Sequence, residues 1–298
     1  MNKQYKQDFL KAGALAGQVR AYGKSLIVKG ASYNEVIAKI KQKIVEVGAR
    51  PAFPPQIALD DTAAHFLPMP DEDIEFTNQV VKLDIGISYN GAIGDCAVTI
   101  DLSGAFGSLV DAAEAALLAA EKIIEPGLPI RAIGKLIDET IASFGFKPIK
   151  NLSGHGLGQY QIHTPPGIPN YDDGSRGIIK PGMTFAIEPF ASTGRGSIVE
   201  AGDATIFCFN RRKPLSNDLT RALIAKIKEF QGLPFSIHDM MIDGLSLADV
   251  QSGLKQLEKL GAINGYAPLV ELKGARVAQA ENSVLVDDDG KVFITTRV

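Results

Sequence analysis

The sequence predicts an α+β fold composed of two similar halves, each with two helices followed by a sheet. Helical patterns over about 6–28 and 33–47 lead into strand-like segments, and the same order returns with helical patterns over about 108–125 and 130–144. The strand-like segments after the second pair lie around 160, at 184–190 and at 198–208. Because no repeat of the residues themselves is visible, the prediction of two halves rests on element order alone.

The first half begins with two amphipathic helices. Ser32 and Asn34 are candidate N-caps of the second helix, since short polar side chains accept hydrogen bonds from the free N–H groups of a first turn. Gly48 can end this helix, because glycine readily adopts the left-handed conformation that follows a C-cap. The proline-rich segment 51–55 prevents the helix from continuing, and strands are expected from there on.

Asn90-Gly91 separates two strand-like segments, 80–87 and 92–102, and predicts a two-residue hairpin turn. Such a turn pairs Tyr89 with Ala92 and thereby fixes the register of both strands. The hairpin is the strongest local prediction that the chain offers, and it decides which side chains share a face.

The predicted register places two aspartates on one face of the hairpin. Asp95 is expected opposite Gly86, and Asp84 lies two residues further along the same strand as Gly86. Cross-strand partners share a face and side chains alternate along a strand, so Asp84 and Asp95 become diagonal neighbours. Two carboxylates this close on a mostly apolar sheet raise each other's pKa unless a cation lies between them. Taken alone, two unrelated aspartates at strand ends would explain the pattern better.

Three further acidic or imidazole residues lie in segments typical of functional sites. His155 is within the glycine-rich run 154–158, which permits close backbone approach but on its own also suits an ordinary loop histidine. Glu188 follows the apolar run 183–187, and Glu281 lies among valines and alanines, so both are expected in buried strands. Buried glutamates need partners, and matching buried basic residues are lacking. A pair of metal ions explains four carboxylates and one imidazole better than separate salt bridges do.

Composition indicates a globular protein without a strongly charged partner. The chain has 298 residues, of which 45% are hydrophobic and 22% charged, and it is long enough for one large domain or two ordinary ones. The formal net charge of −3 gives no support to nucleic acid or an anionic membrane as main partner. No apolar run approaches the roughly 18 residues that span a bilayer. Two cysteines without a C-x-x-C pair, and no signal-peptide core, favour a cytoplasmic location.

Between about Arg211 and Lys273 the residues no longer follow the order of helices and strands seen in the two halves. Helical patterns cover 218–231 and 246–260, the second with Ser246 as N-cap and Gly261 just past its end. Helices followed by a hairpin also occur in winged-helix DNA-binding proteins. Nine basic and seven acidic residues between 211 and 273 do not make a basic face, so DNA binding is disfavoured.

This block is interpreted as an insertion. A hairpin signal, ELKGARV, closes it, and the strand that breaks off near Cys208 is expected to resume at 277–286. The predicted division is a main domain of residues 1–210 and 274–298, with a helical insertion subdomain of residues 211–273.

The order of the acidic and imidazole residues resembles the methionine aminopeptidases. Two aspartates eleven positions apart are followed by a histidine in GHGLG, a second histidine shortly after, and glutamates in IEPF and AENSVLV. The resemblance extends from AFPP to AENSVLV, and the insertion before the last glutamate is similar to the type II branch in its short archaeal-like form without an N-terminal extension. It implies the α+β pita-bread fold, with the main domain as the catalytic domain.

The resemblance also implies a site with two divalent ions, which could be Co, Mn, Fe or Zn. Asp95 and Glu281 would bridge the ions, and a bridging water or hydroxide would attack the carbonyl after the first methionine. The catalytic residues would be His65, His163 and Glu188. His163 would hydrogen-bond the carbonyl or developing oxyanion, and His65 would contact the peptide near its amine or the new amide nitrogen. The implied metal ligands are Asp84, Asp95, His155, Glu188 and Glu281.

The implied substrate is the N-terminal methionine of a nascent polypeptide whose second residue is small. Phe53 and Ile162 match positions that line the methionine pocket, although core packing explains these two residues equally well. The enzyme would act as a monomer with at most a transient ribosome contact, and with no membrane or specific nucleic acid as partner.

Two departures from the family pattern lie beside the site. Asn282-Ser283 stand where His-Thr is common, and Phe66-Leu67-Pro68 stand where an aromatic residue followed by Thr-Pro is common. Both can change hydrogen bonds around the ligands.

Two other functions stay open. A prolidase or aminopeptidase P shares the fold but carries a further N-terminal domain and lacks the insertion. A non-catalytic relative that binds RNA, ribosomes or proteins would have lost metal ligands that are all present here.

Overall fold

The computed structural model describes residues 1–215 and 217–297, which form an α+β structure as the sequence predicts. The α-helices are α1 (Lys3–Leu26), α2 (Tyr33–Glu46), α3 (Gly107–Lys122), α4 (Ile130–Ser143), α5 (Asp218–Ile227) and α6 (Leu247–Lys259). The strands are β1 (Arg50–Pro51), β2 (Gln56–Leu59), β3 (Thr62–Ala64), β4 (Val80–Tyr89), β5 (Ala92–Asp101), β6 (Lys147–Pro148), β7 (Ser153–Gly158), β8 (Gln161–Pro169), β9 (Thr184–Ile187), β10 (Phe190–Ser192), β11 (Val199–Glu200), β12 (Ile206–Phe209), β13 (Phe235–Ser236), β14 (Ile263–Tyr266), β15 (Leu269–Val270), β16 (Val277–Gln279), β17 (Asn282–Val286) and β18 (Val292–Ile294). Within the described residues, every helix is too short or too polar to cross a membrane.

Polar side chains define where the helices begin. The Oγ of Ser32 accepts a hydrogen bond from Glu35 N at 3.1 Å, so Ser32 is the N-cap of α2 and Asn34 lies inside the helix. Ser246 and Asp249 form a reciprocal capping box at the start of α6. Such caps satisfy N–H groups that the first turn of a helix otherwise leaves free, and one is typically worth about 1 kcal/mol.

The first half contains the predicted hairpin in the predicted register. Tyr89 pairs with Ala92 and Gly86 with Asp95, which places Asp84 and Asp95 as diagonal neighbours. β4 and β5 join β1 and β2 in one antiparallel sheet, ordered β1-β4-β2 with β5 on β4. The helices α1 and α2 cover this sheet through a buried core that includes Val19, Ile40 and Leu83.

The second half repeats two helices followed by a sheet. α3 and α4 pack on a five-stranded sheet in the order β18-β17-β9-β7-β8, with Ile133, Phe185 and Val284 in the shared core. The two halves meet where β5 runs beside the chain around Glu281. There Ala97 N donates to Glu281 O and Glu281 N donates to Ala97 O, at 3.3 and 3.2 Å. The candidate site lies over this contact.

The segment after β11 folds around a core of its own. Phe207, Leu223, Phe235 and Leu254 are among the residues buried together there, between α5, α6 and the sheet β13-β12-β14. The expectation that the strand near Cys208 resumes at 277–286 is wrong. β12 pairs with β13 and β14, whereas β16 pairs with β10 and β17 with β9.

The hairpin predicted over 271–277 is also wrong. The chain does turn at Gly274, which has a positive φ of 83°. The strands on either side belong to different sheets, because β15 pairs with β3 and β11 whereas β16 pairs with β10. Glu271, directly after β15, accepts a hydrogen bond from Gly196 N at 2.7 Å.

Candidate metal centre and substrate pocket

One cavity of about 210 Å³ brings together every site residue that the sequence predicts. The residues come from both halves, and most lie within strands or directly after them. The nine residues are Phe53, His65, Asp84, Asp95, His155, Ile162, His163, Glu188 and Glu281.

The carboxylates surround the buried imidazole of His155. Its Nε2 lies 3.7 Å from Asp95 Oδ2 and 3.6 Å from Glu188 Oε1. Asp95, His155 and Glu281 each present one donor atom, and these three atoms lie within 4.8 Å of one another. Asp95 and Glu281 are both 2% exposed, so water does not screen their mutual repulsion. This geometry suits a cation held by oxygen and nitrogen donors.

His155 is set up to act as a neutral ligand. Its Nδ1 lies 3.3 Å from Gly156 O, and a proton on Nδ1 leaves the lone pair of Nε2 facing Asp95 and Glu188. Burial lowers the pKa of His155 to about 3, so the ring is uncharged near neutral pH. A backbone carbonyl that fixes the tautomer in this way is the usual support of a metal-binding histidine.

Among the described residues, protein donors leave two of the buried carboxylate oxygens unpaired. Asp84 Oδ1 and Asp95 Oδ1 are buried without a hydrogen-bond partner among the described residues. Burial raises the pKa of Asp84 to about 7. Burial, followed by repulsion from the other carboxylates, raises the pKa of Asp95, Glu188 and Glu281 well above their usual range. Either protons or cations must therefore neutralise the cluster, and the donor set fits divalent metal.

Two histidines lie beside the carboxylates on strained backbone. His65 directly follows β3 with φ 59°, and His163 lies in β8 with φ 60°, both in the left-handed region. Residues other than glycine rarely adopt that region, and such residues cluster at functional sites. Gln56 Oε1 holds His65 by accepting a hydrogen bond from its backbone N–H at 2.8 Å. Burial lowers the pKa of His65 to about 4, so this ring is also neutral.

An apolar wall completes the cavity, and the sequence predicts only part of it. Phe53 and Ile162, which the resemblance implies as pocket residues, both line the cavity. Tyr266 was not predicted, although its ring centroid lies 5.3 Å from that of His65. Pro234 and Leu269 also line the cavity from the segment after β12. The aromatic side chain in the short strand INGY is the only sign of it in the sequence, and nothing in its spacing links it to the site.

The sequence is similar to those of known metallopeptidases. The model of metallopeptidase family M24 matches residues 7–209. The methionine aminopeptidase of Thermococcus onnurineus (strain NA1) is 38% identical over 297 residues, which cover 98% of this chain and 99% of that protein. The methionine aminopeptidase of Pyrococcus horikoshii is 36% identical over 290 residues, covering 96% and 98%.

Solved structures share the fold over the whole chain. Methionine aminopeptidase from Thermotoga maritima matches with a TM-score of 0.72 at 22% identity, covering 100% of this chain and 98% of that one. A thermophilic Arx1 matches with a TM-score of 0.86 at 15% identity, covering 100% and 92%. The fold is thus the pita-bread fold that the resemblance implied. Together with the relatives above 30% identity, these matches place the chain in metallopeptidase family M24, and within it in the methionine aminopeptidases.

Proposed function

We propose that this protein is a metal-dependent aminopeptidase that removes the N-terminal methionine from polypeptides. The observation that carries the proposal is a cavity with four carboxylates and a neutral imidazole on one side and an apolar wall on the other. Acidic residues without cationic partners are costly to bury unless a cation binds there, and an apolar slot beside the cation suits a thioether side chain.

The cluster balances the charge of two divalent ions. Four ionised carboxylates carry four negative charges, which two such ions neutralise, and a single ion would leave an excess buried charge. Asp84, Asp95, His155, Glu188 and Glu281 would hold the two ions, and the resemblance implies that Asp95 and Glu281 would be shared by both. Co, Mn, Fe and Zn all accept this mixed donor set. Ions of this kind supply an acidified water and Lewis acidity at the scissile carbonyl.

The neutral histidines provide hydrogen bonds rather than charge. His163 is exposed, with its ring centroid 4.4 Å from that of His155, and would donate to the substrate carbonyl. His65, whose backbone N–H donates to Gln56 Oε1, would contact the peptide near its amine. Phe53, Ile162 and Tyr266 would enclose the methionine side chain. The resemblance further implies that the second residue of the substrate is small.

Residues 211–273 would be an insertion subdomain whose inner edge forms part of this wall. Removal of methionine from new chains implies a cytoplasmic enzyme that acts as a monomer and contacts ribosomes transiently. The exposed, basic pair Arg211-Arg212 at the start of the insertion would suit such a contact.

Hydrolysis by the chelator-stripped protein tests the proposal. Met-Gly, Met-Leu and Xaa-Pro peptides are supplied with and without Mn²⁺ or Co²⁺, and released amino acids are measured. Methionine release from the Met-Gly peptide alone, only when metal is added, is the expected result. Hydrolysis of the Xaa-Pro peptide alone would instead indicate a proline-directed peptidase. No hydrolysis of any of the three peptides, with or without added metal, would indicate a non-catalytic relative.

A further inference from the structure

The contact between the two halves is an antiparallel seam with an unusual hydrogen-bond pattern. Ala97 and Glu281 form its centre and exchange two backbone hydrogen bonds. The residue pairs on either side are Asp95 with Ser283 and Thr99 with Gln279, two positions away along each chain. The seam therefore joins the segments that carry Asp95 and Glu281.

On both sides of the centre, a side-chain hydroxyl bonds twice to the facing backbone. Ser283 Oγ accepts from Asp95 N at 2.8 Å and donates to Asp95 O at 2.9 Å. Thr99 Oγ1 accepts from Gln279 N at 2.8 Å and donates to Gln279 O at 2.7 Å. Ser283 and Thr99 are 0% and 3% exposed, so water cannot substitute for these bonds. The two hydroxyls fix the seam as backbone ladder bonds would.

Arg20 of α1 also hydrogen-bonds to the segment of the seam that carries Glu281. Its guanidinium donates to Glu281 O at 2.8 Å and to Asn282 Oδ1 at 2.9 Å. Asn282 in turn donates from Nδ2 to Glu121 Oε1 at 2.6 Å. The two residues of the Asn282-Ser283 departure thus have separate consequences. Serine retains the hydroxyl of the common threonine, whereas Asn282 bonds to groups behind the seam.

We propose that Ser283 is a positioning residue that holds Asp95 at the distance from Glu281 at which both can bind the same metal ions. The two carboxylates belong to different halves of the fold, so their separation depends on the seam rather than on one strand. Their mutual repulsion acts to open the seam, and the bonds from Ser283 to the Asp95 backbone oppose that movement at the ligand itself. This inference rests on the proposed function, because it assumes a shared metal site.

Metal titration of stripped proteins tests the role of Ser283 without relying on activity. Calorimetry with Mn²⁺ gives the affinity, and thermal unfolding gives the stability of the same samples. Ser283→Ala should weaken Mn²⁺ binding by roughly tenfold or more, the range typical of lost support around a metal ligand. Ser283→Thr restores the hydroxyl and should bind Mn²⁺ nearly as the parent does. Ser283→Cys, with a weakly bonding thiol of similar size, provides a second reading if the alanine variant does not fold.

Thr99→Val is the matched control. It removes an equal pair of hydroxyl bonds from the same seam, but from Gln279, which is not a predicted ligand. A similar loss of stability with nearly unchanged Mn²⁺ affinity supports a specific role for Ser283. Equal weakening of Mn²⁺ binding by both variants, or parent-like binding by Ser283→Ala, overturns the inference. Lack of divalent binding by the parent protein itself overturns the proposed function, and the inference with it.

Discussion

At the residue scale, the lack of a side chain at Gly86 allows the Phe53 ring of the apolar wall to pack against the sheet that carries Asp84 and Asp95. Gly86 faces Asp95 across the hairpin, and a Cβ at Gly86 would lie 2.2 Å from Phe53 Cε1. Gly86→Ala must therefore displace the Phe53 ring, and we expect a loss of about 1–3 kcal/mol in the free energy of unfolding. Because the slot changes and the metal donors do not, KM for methionyl peptides should rise more than kcat falls. Urea unfolding and steady-state kinetics measure both effects.

Gly107→Ala is the control for this substitution, since a Cβ at Gly107 meets nothing within 4 Å. It should leave KM near the parent value and the free energy of unfolding unchanged or raised by up to about 1 kcal/mol, because Gly107 begins α3. A fall in kcat at unchanged KM for Gly86→Ala would contradict a role of Phe53 in the slot. The case also shows what residue patterns can predict. The facing of Gly86 and Asp95 follows from the turn alone, whereas the ring above Gly86 becomes visible only when segment 51–55 is placed in space.

At the element scale, the sequence predicts those elements whose signals are local. α2 and α6 begin at the predicted caps, and the register of β4 with β5 follows from a two-residue turn. Strands of two residues, such as β11 and β15, are too short to show periodicity in the sequence. Whether such a segment is a strand depends on the neighbouring strand with which it pairs. The false hairpin over 271–277 arose for this reason, because a turn signal does not reveal that the flanking strands join different sheets.

The tips of two hairpins dock on each other and set the relative position of their ligands. Tyr160 N, in the turn between β7 and β8, donates to Gly91 O at 2.8 Å. Gly91 has φ 84°, and a Cβ there would lie 2.3 Å from the Tyr160 ring. Gly91→Ala should lower the free energy of unfolding by about 2 kcal/mol or more, from backbone strain together with overpacking. It should also weaken metal binding, since His155 and Asp95 lie on the two hairpins.

Gly30→Ala separates the two causes, because Gly30 has the same φ of 84° but open space around its Cβ position. Chemical unfolding of both variants should show a smaller loss for Gly30→Ala, and its Mn²⁺ affinity should match the parent. Equal effects of the two substitutions on stability and on Mn²⁺ binding would mean that the contact with Tyr160 does not position the ligands.

At the scale of the whole molecule, the two halves bring four carboxylates together in one buried cluster. Because their pKa values are shifted there, the stability of the metal-free protein must depend on pH. Burial raises the pKa of Asp84 to about 7, and the pKa values of Asp95, Glu188 and Glu281 are raised well above their usual range. The folded protein thus retains protons that the unfolded chain releases near pH 4. Its free energy of unfolding falls as pH rises through the raised values.

Other buried groups act in the opposite direction and define the useful pH window. His65 and His155, with pKa values lowered to about 4 and about 3, favour folding as pH rises, but only up to their unfolded pKa near 6.5. Lys82, whose pKa burial lowers to about 7, favours folding above that pH in both the stripped and the metal-loaded protein. The difference in stability between the two forms above about pH 6.5 therefore isolates the carboxylates.

We expect the gain in Tm on adding Mn²⁺ to increase between about pH 6.5 and about pH 8. Each carboxylate that keeps its proton in the metal-free folded protein lowers the free energy of unfolding by roughly 1.4 kcal/mol per pH unit between its unfolded pKa near 4 and its raised folded pKa, or about 2–4 °C in a protein of this size. Circular dichroism melts of stripped and loaded protein at several pH values measure the gain. Asp84→Asn removes one of these carboxylates and should reduce the increase. A gain in Tm that stays constant or declines over this interval would mean that the cluster does not depend on a cation to neutralise it.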